Sequence, residues 1–235
     1  MSFIINWDSS WNEFMTKDNC LELSNIEEKL NNEGVFYPYR TNVLRFMSQN
    51  LKNIKCVIVG MDPYPSSYKI NDKNYPIATG RSFEVANLSN WNQKFKQASL
   101  RNIVKTIYYN ETNEKKSFDE IRELINKGIF DIKQPRNWFD SLEYQGVMFL
   151  NATLTVSPNK PDSHREYWDN YMNNVISYIS SHTSNVKWFL WGEKAQNRVL
   201  PYIKKENAIC TKHPRVNGFI DENCFGKIKE INWKG

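Results

Sequence analysis

Four short apolar runs constrain the fold of this chain more than any other feature of its sequence. Each run is four to six residues long, and a residue typical of turns or polar sites follows each one. The runs cover residues 55–59, 147–150, 186–191 and 208–211. Nearly continuous apolar runs of this length predict strands that are buried on both faces, as in a parallel sheet covered by helices.

Helical patterns separate these runs and precede the first of them. In the segment 99–109 apolar residues recur at helical spacing, and Ser99 is the predicted N-cap. Ser117 and Glu120 have the spacing of a capping box. The other helical patterns cover 9–17, 24–32, 42–48, 117–127, 165–180 and 194–202. Strands that alternate with helices predict an α/β fold of three layers, α/β/α, around a central, mainly parallel four-stranded sheet.

We expect the chain to form one domain over residues 1–235, because no internal repeat, low-complexity tract or flexible linker divides it. No stretch approaches the roughly 18 consecutive apolar residues that a membrane helix needs. The N-terminus lacks the basic and apolar regions of a secretory signal. We therefore expect a cytoplasmic monomer without membrane contact.

Charge and aromatic content permit a nucleic-acid partner without requiring one. The formal net charge is +5, and 14% of the residues are aromatic. Basic and aromatic residues together suit a surface that holds phosphates and stacks bases. They also suit a packed α/β core, which composition alone favours. The four cysteines show no CxxC or CxxH spacing, so we expect no structural zinc site.

A rigid loop follows the first predicted strand and carries Asp62. The loop reads Gly-Met-Asp-Pro-Tyr-Pro at 60–65, and its two prolines restrict the backbone. A carboxylate held at the carboxyl edge of the sheet can act as a general base or stabilise a cationic transition state. The alternative is a turn in which Asp62 only accepts backbone hydrogen bonds, and local sequence favours that alternative.

Three further residues near predicted strand ends could contact a ligand. Phe83 follows a glycine-containing loop and could stack on a flat ligand, although a core position is more common for phenylalanine. Asn151 ends the second run, where its amide could read an imide edge or cap a loop. His213 follows the last run and is a candidate acid or charge stabiliser, or else a surface histidine before a proline.

Five segments, in one order along most of the chain, together resemble the uracil-DNA glycosylases of the family-1 type. The family pattern GQDPYH reads GMDPYP at 60–65, and G-x-x-F-S-V reads GRSFEV at 80–85. The pattern LLLN-x-x-LTV reads MFLNATLTV at 148–156, and WG-x-x-AQ reads WGEKAQ at 191–196. The final HPSPLS motif is kept only as His213-Pro214.

This resemblance implies an enzyme that flips uracil out of DNA and hydrolyses its glycosidic bond without a metal or cofactor. Asp62 would stabilise the sugar cation and orient water, and His213 would stabilise the uracil anion. Met61, Tyr64, Phe83 and Asn151 would bind the base, with Tyr64 excluding the thymine methyl group. The residues implied in DNA binding are Ser99, Gly192, Arg215, Asn217 and Phe219. A protein inhibitor or a replication partner is also conceivable.

Several positions depart from the family pattern. Pro65 replaces a histidine that helps to place the attacking water, and Glu193 replaces a serine that contacts phosphate. Arg215 could restore attraction to the phosphate. Asn217 aligns with the leucine wedge that fills the hole left by the flipped base, and Phe219 or a rearranged loop could take its place.

A further departure is the segment 87–98, which replaces a proline-rich loop of the family. Its aromatic and basic residues could grip DNA, or it could be a solvated loop with one packed aromatic ring. These residues are Trp91, Lys94, Phe95 and Lys96. Because of the departures, the alternative function is a weakly active or inactive DNA-binding replication accessory factor.

Overall fold

Four parallel strands form the central sheet in the computed structural model, which describes residue 3 and residues 6–183, 185–216 and 218–235. The strands of the chain are β1 (Cys56–Gly60), β2 (Ser67–Ile70), β3 (Lys73–Pro76), β4 (Val147–Asn151), β5 (Lys187–Trp191) and β6 (Ala208–Thr211). The spatial order in the central sheet is β4-β1-β5-β6, and every pairing is parallel. Each of these four strands overlaps a predicted apolar run, so the predicted sheet is confirmed.

In the part of the chain that the structure describes, six α-helices surround the sheet. They are α1 (Lys17–Glu33), α2 (Ala98–Thr112), α3 (Phe118–Asn126), α4 (Pro135–Tyr144), α5 (Arg165–His182) and α6 (Glu193–Val199). The capping box of Ser117 and Glu120 is present at the start of α3. The predicted capping role of Ser99 is wrong, because α2 begins one residue earlier and Gln97 holds the N-cap position.

The start of the chain differs most from the predicted helices. The segment 9–17 forms only a short 3-10 turn, Ser9–Trp11, and the pattern at 24–32 belongs to the longer helix α1. Thr16 caps α1 by accepting a hydrogen bond from the backbone N–H of Asn19 at 3.2 Å. The pattern at 42–48 likewise forms 3-10 turns, and α4 was not predicted.

Successive strand residues alternate between two apolar cores, one on each face of the sheet. In β1, Cys56 and Ile58 face one core, whereas Val57 and Val59 face the other. Helices α2, α3 and α4 supply the first core, and helices α1, α5 and α6 supply the second. This arrangement confirms the predicted three-layer α/β/α fold. None of the described helices is long and apolar enough to cross a membrane.

An antiparallel hairpin of β2 and β3 lies outside the central sheet. It directly follows the loop that carries Asp62, and Tyr68 pairs with Tyr75 across it, with ring centroids 5.7 Å apart. Asn71 and Asp72 form its turn with positive φ angles. The hairpin lacks an apolar run, which is why the sequence pattern did not predict it.

Candidate active site

One cleft at the carboxyl edge of the sheet collects most of the predicted site residues. Its volume is about 230 Å³. Parallel strands all end at this edge, so loops that are distant in sequence meet there. The predicted residues that line the cleft are Met61, Asp62, Tyr64, Phe83, Ser99, Asn151, His213 and Arg215.

Asp62 is half-buried on the loop after β1. Its Oδ2 atom accepts a hydrogen bond at 3.0 Å from the backbone N–H of Asp162, 100 residues further along the chain. Burial raises the pKa of the Asp62 carboxyl, and this hydrogen bond works in the opposite direction. The long-range partner holds the carboxylate at a defined point of the cleft, which a turn alone would not do.

Asn151 is the last residue of β4 and is only 3% exposed. It lies beside Gly60 in the register of β1 and β4. A Cβ atom at Gly60 would clash with the Asn151 side chain and lie 2.8 Å from Ser82 Cβ, so only glycine leaves room for the amide. Within the described part of the chain, no hydrogen-bond partner is found for the Asn151 amide. Its donor and acceptor therefore remain available to a ligand.

Phe83 packs against the core on one side and lines the cleft on the other. Its ring centroid lies 5.3 Å from that of Trp191. Its backbone has a φ of +64°, a left-handed conformation that is rare for a bulky residue. Neighbouring residues anchor this conformation, because the Ser82 hydroxyl donates a hydrogen bond to the Ile58 carbonyl at 3.0 Å.

The buried guanidinium of Arg81 provides a second anchor for the Phe83 loop. It donates hydrogen bonds to Glu84 at 3.1 Å and to Asp140 at 2.7 Å, and it also bonds the Glu143 carboxylate. These partners tie the loop to α4 and raise the pKa of Arg81 against the opposing effect of burial. The hydrogen bonds of Arg81 thus fix the loop that places Phe83 at the cleft.

His213 lies on the loop after β6, half-buried in the cleft. Its Nδ1 atom accepts a hydrogen bond from the backbone N–H of Arg215 at 3.1 Å. Burial, and secondly the charge of Arg215, lower the pKa of the imidazole. A neutral ring whose Nδ1 accepts carries its proton on Nε2. The described residues offer Nε2 no hydrogen-bond partner, so this N–H is available to a ligand.

Tyr64 and Gly192 shape the walls around these groups. Tyr64 is partly buried against the apolar core, and burial raises the pKa of its phenol, which is therefore neutral. Gly192 has a φ of +89°, and a Cβ atom there would lie 2.9 Å from Cβ of His213. The glycine thus permits the close approach of α6 to the histidine loop.

Two predicted DNA-face aromatics are core residues. Phe219 is fully buried, with its ring centroid 5.3 Å from that of Trp191. The expectation that Phe219 presents its ring to DNA is therefore wrong for this structure. Trp91 is also fully buried and donates its indole N–H to the Lys133 carbonyl at 2.8 Å. Both rings gain more from apolar burial than from exposure on a loop.

The remaining predicted DNA contacts divide between exposed and buried positions. Ser99 is buried at the cleft, whereas Arg215 and Glu193 are exposed near it. In the segment 87–98, Lys94 and Lys96 are exposed and Phe95 is half-buried. Asn217 lies outside the described residues.

Several residues at or behind the cleft were not among the predicted site residues, and two of them matter for its geometry. Asp162 bonds Asp62, and Trp191 forms a wall beside Phe83. Trp191 could have been found from its place at the end of a predicted strand. Asp162 could not, because its contact joins loops 100 residues apart and no local pattern marks it.

Comparisons with known proteins agree with this geometry. No protein-family model matches the chain. The chain is 30% identical over 235 residues to the uracil-DNA glycosylase of Buchnera aphidicola subsp. Baizongia pistaciae, covering 97% of this chain and 92% of that protein. It is 31% identical over 232 residues to the uracil-DNA glycosylase of Borreliella burgdorferi strain ZS7, covering 93% and 90%.

Solved structures share the fold. Mimivirus uracil-DNA glycosylase superposes with a TM-score of 0.67 at 21% identity, over 88% of this chain and 69% of that one. The UNG from Nitratifractor salsuginis gives a TM-score of 0.69 at 19% identity, over 94% and 91%. With the full-length sequence similarity and the cleft at the sheet edge, these findings show that the chain belongs to the uracil-DNA glycosylase family.

Proposed function

We propose that this protein hydrolyses the N-glycosidic bond of deoxyuridine in DNA, releases uracil and leaves an abasic site, which starts base-excision repair. The observation that carries the proposal is a pair of polar groups in one cleft for which the described residues offer no hydrogen-bond partner, the Asn151 amide and Nε2–H of His213. Family membership supports the same reaction. The Asp62 carboxylate lines the same cleft.

Base recognition follows from the shape and polarity of the cleft. The Phe83 ring would stack on the flipped uracil, and Met61 would line its edge. The Asn151 amide would accept a hydrogen bond from N3–H and donate one to O4. A cytosine edge presents the opposite donor and acceptor. Tyr64 would occupy the space next to C5, where the methyl group of thymine would clash.

Bond cleavage separates charge, and the cleft offers a group for each charge. As the C1′–N1 bond breaks, its electron pair leaves with N1 and the sugar becomes oxocarbenium-like. The Asp62 carboxylate would stabilise that cation, and Nε2–H of His213 would hydrogen-bond the developing charge on O2. Water, oriented by Asp62, then adds its oxygen to C1′, and the proton that it loses passes through solvent to the uracil anion, so that neutral uracil is released. A group that stabilises such developing charge contributes about 10²–10³-fold in rate.

The substituted positions favour a family-1 enzyme whose contacts to DNA differ from the family pattern. Pro65 has no N–H and no side-chain donor, so it would not place the water as a histidine does. Glu193 would repel a phosphate that a serine would bind, whereas exposed Arg215 would attract one. Ser99, which lines the cleft, and Gly192, next to Trp191 of the cleft wall, would contact the DNA backbone. We propose that the base pocket is closer to the family pattern than the DNA contacts are.

Similar solved structures point to a protein inhibitor as a partner. Mimivirus UNG variants with 20% and 22% identity to this chain form complexes with UGI. We propose that UGI also binds this cleft, that the protein acts as a monomer and that it is located with DNA in the cytoplasm. Inhibition of uracil release by UGI tests the first point, and sedimentation tests the second.

A uracil-release assay tests the proposed function. The protein is incubated with single- and double-stranded oligonucleotides that contain one uracil, one thymine or one cytosine at the same position. We expect a free base to be released only from the oligonucleotides that contain uracil. Absence of release from both, at stoichiometric protein, would reject the proposal. Salt-dependent DNA binding without release would instead favour a replication accessory factor.

A further inference from the structure

The loop between β4 and α5 (residues 152–164) docks onto the loop 60–65 that carries Asp62. Ala152 and Thr153 bond the backbone of this loop next to the strands, and two further hydrogen bonds come from the far part of the β4–α5 loop. The backbone N–H of Asn159 donates a hydrogen bond to the Pro65 carbonyl at 2.8 Å. The backbone N–H of Asp162 donates one to Oδ2 of Asp62 at 3.0 Å. The second bond reaches a carboxylate that the proposed function places at the reacting sugar.

Backbone conformation directs both of these N–H groups. Asn159 has a φ of +60° and Asp162 a φ of +63°. Asn and Asp adopt this left-handed region more readily than other residues with a Cβ atom, and β-branched residues strongly disfavour it. The conformation at Asp162 is therefore a requirement for the direction of its N–H group.

The base of the loop is fixed independently. The backbone N–H of Ser157 donates a hydrogen bond to the Ser163 hydroxyl at 2.8 Å, which closes the loop. The buried His164 ring contacts the Thr155 hydroxyl through Nδ1 at 2.9 Å and the Ser157 hydroxyl through Nε2 at 2.8 Å. A loop held in this way can hold Asp62 in place through its backbone N–H group.

We propose that Asp162 is a positioning residue for Asp62. Its backbone N–H holds Oδ2, which leaves Oδ1 of Asp62 for the sugar cation and the attacking water. Its own carboxylate lines the same cavity as Asp62, and the charge of that carboxylate disfavours ionisation of Asp62. This inference rests on the proposed function and assigns a role to a residue that the chemistry above does not use.

Charge around Asp62 gives the direction of the effect. Burial raises the pKa of Asp62 most, the Asp162 charge raises it further, and Lys194 lowers it. Because Asp162 is exposed, salt should weaken its contribution. The other charged or titratable groups that line the two cavities containing Asp62 are Tyr64, Arg81, Arg165, Asp169, Arg198, Tyr202, His213 and Arg215.

Three substitutions at position 162 separate the effect of the backbone conformation from the effect of the side-chain charge. Asp162→Asn keeps the left-handed conformation and removes the charge. Asp162→Gly also keeps the conformation and removes the side chain. Asp162→Val disfavours the conformation and should displace the N–H group. Asp72→Asn, in the exposed hairpin turn with a φ of +61°, is the matched control for a lost surface charge.

Two readouts test the proposal. The first is kcat against pH at saturating substrate, at low and high salt. The second is the titration of the Asp62 carboxyl followed by ¹³C NMR with labelled aspartate, assigned with Asp62→Asn. The NMR titration needs no activity, so a failure of the proposed function, seen as no uracil release from the wild type, stays distinguishable from a failure of this inference.

We expect Asp162→Asn and Asp162→Gly to lower the pKa of Asp62 and to move the acid limb of kcat to lower pH, more at low salt than at high salt. We expect Asp162→Val to lower kcat by at least about tenfold with little change in KM, because orientation is lost. The inference is overturned if the Asp62 titration is unchanged in Asp162→Asn, or if folded Asp162→Val keeps kcat within twofold of Asp162→Gly.

Discussion

The backbone N–H of Arg215 donates a hydrogen bond to Nδ1 of His213, at 3.1 Å. This bond does two things for the proposed chemistry. It directs the imidazole proton to Nε2, on the side of the ring that is free, and it disfavours protonation of Nδ1. The nearby guanidinium charge acts in the same direction on the pKa. His213 is thus a neutral ring that can donate a hydrogen bond from Nε2.

Arg215→Gln should make catalysis more sensitive to acid. The ordinary imidazole pKa is 6.5, and burial first and Arg215 second lower it in His213. Removal of the guanidinium charge raises this pKa, so the ring gains a proton at a higher pH as the solution is acidified. If the neutral ring is the active form, the acid limb of kcat moves to higher pH.

The pH profile at saturating single-stranded substrate, with the His213 titration by NMR, measures this effect. An unchanged or lower His213 pKa in Arg215→Gln would contradict it. Lys212→Gln, which removes a neighbouring exposed charge, is the control.

Gly192→Ala should lower kcat by about tenfold or more. The new Cβ atom would lie 2.9 Å from Cβ of His213, and the φ of +89° strains any residue other than glycine. The histidine loop must therefore move, and misplacement of a catalytic group by about 1 Å can reduce the rate by about 10². Gly128→Ala is the control, since its φ is +67° and nothing lies within 4 Å of the added atom. Equal kcat values in the two variants would exclude this explanation.

Single-stranded DNA should be cleaved faster than duplex DNA. Asn217 stands where the family has its leucine wedge, and Phe219 is buried, so neither offers an apolar side chain to fill the hole left by a flipped base. Asn217→Leu should raise the rate on duplex and leave the rate on single strands unchanged. Parallel single-turnover assays on both substrates measure this. A wild-type enzyme that prefers duplex would show that another residue, such as exposed Val216, acts as the wedge.

Arg81→Met should destabilise the protein by about 3 kcal/mol, because it leaves the buried carboxylate of Glu84 without its partner. The loop that presents Phe83 should loosen at the same time. Urea denaturation gives the free energy of unfolding, and KM for uracil-containing substrate reports on the loop. Arg136→Met, at an exposed position of α4, is the control and should have little effect. A loss below about 0.5 kcal/mol in Arg81→Met would contradict the bracing role.

Local patterns predicted the parts of the molecule that burial determines. The four apolar runs became the four strands, because strands covered on both faces need apolar residues at every position. The hairpin escaped prediction, since its sequence contains no apolar run. Helix α4 was missed although its apolar residues Trp138, Phe139 and Leu142 recur at helical spacing and are buried. Phe219 lies in the core and not on the DNA face, and buried Trp91 agrees with the alternative of one packed aromatic ring in the segment 87–98, as is common for large aromatic rings.

The candidate site was predictable to the extent that single segments carry it. Asp62, Phe83, Asn151 and His213 each stand in a recognisable segment, and the structure brings all four to one cleft. The Asp162 contact and the Arg81 network join segments that are 100 and about 60 residues apart in sequence. No pattern within one segment can indicate such contacts.

Single-turnover release of uracil by the wild type and by Asp62→Asn tests the central claim most directly. The asparagine keeps the size of the side chain and removes the negative charge that would stabilise the sugar cation. We predict release by the wild type and a rate at least tenfold lower in Asp62→Asn, a loss of more than about 1.4 kcal/mol of transition-state stabilisation. Asp72→Asn should match the wild type. Equal rates for wild type and Asp62→Asn would contradict the account.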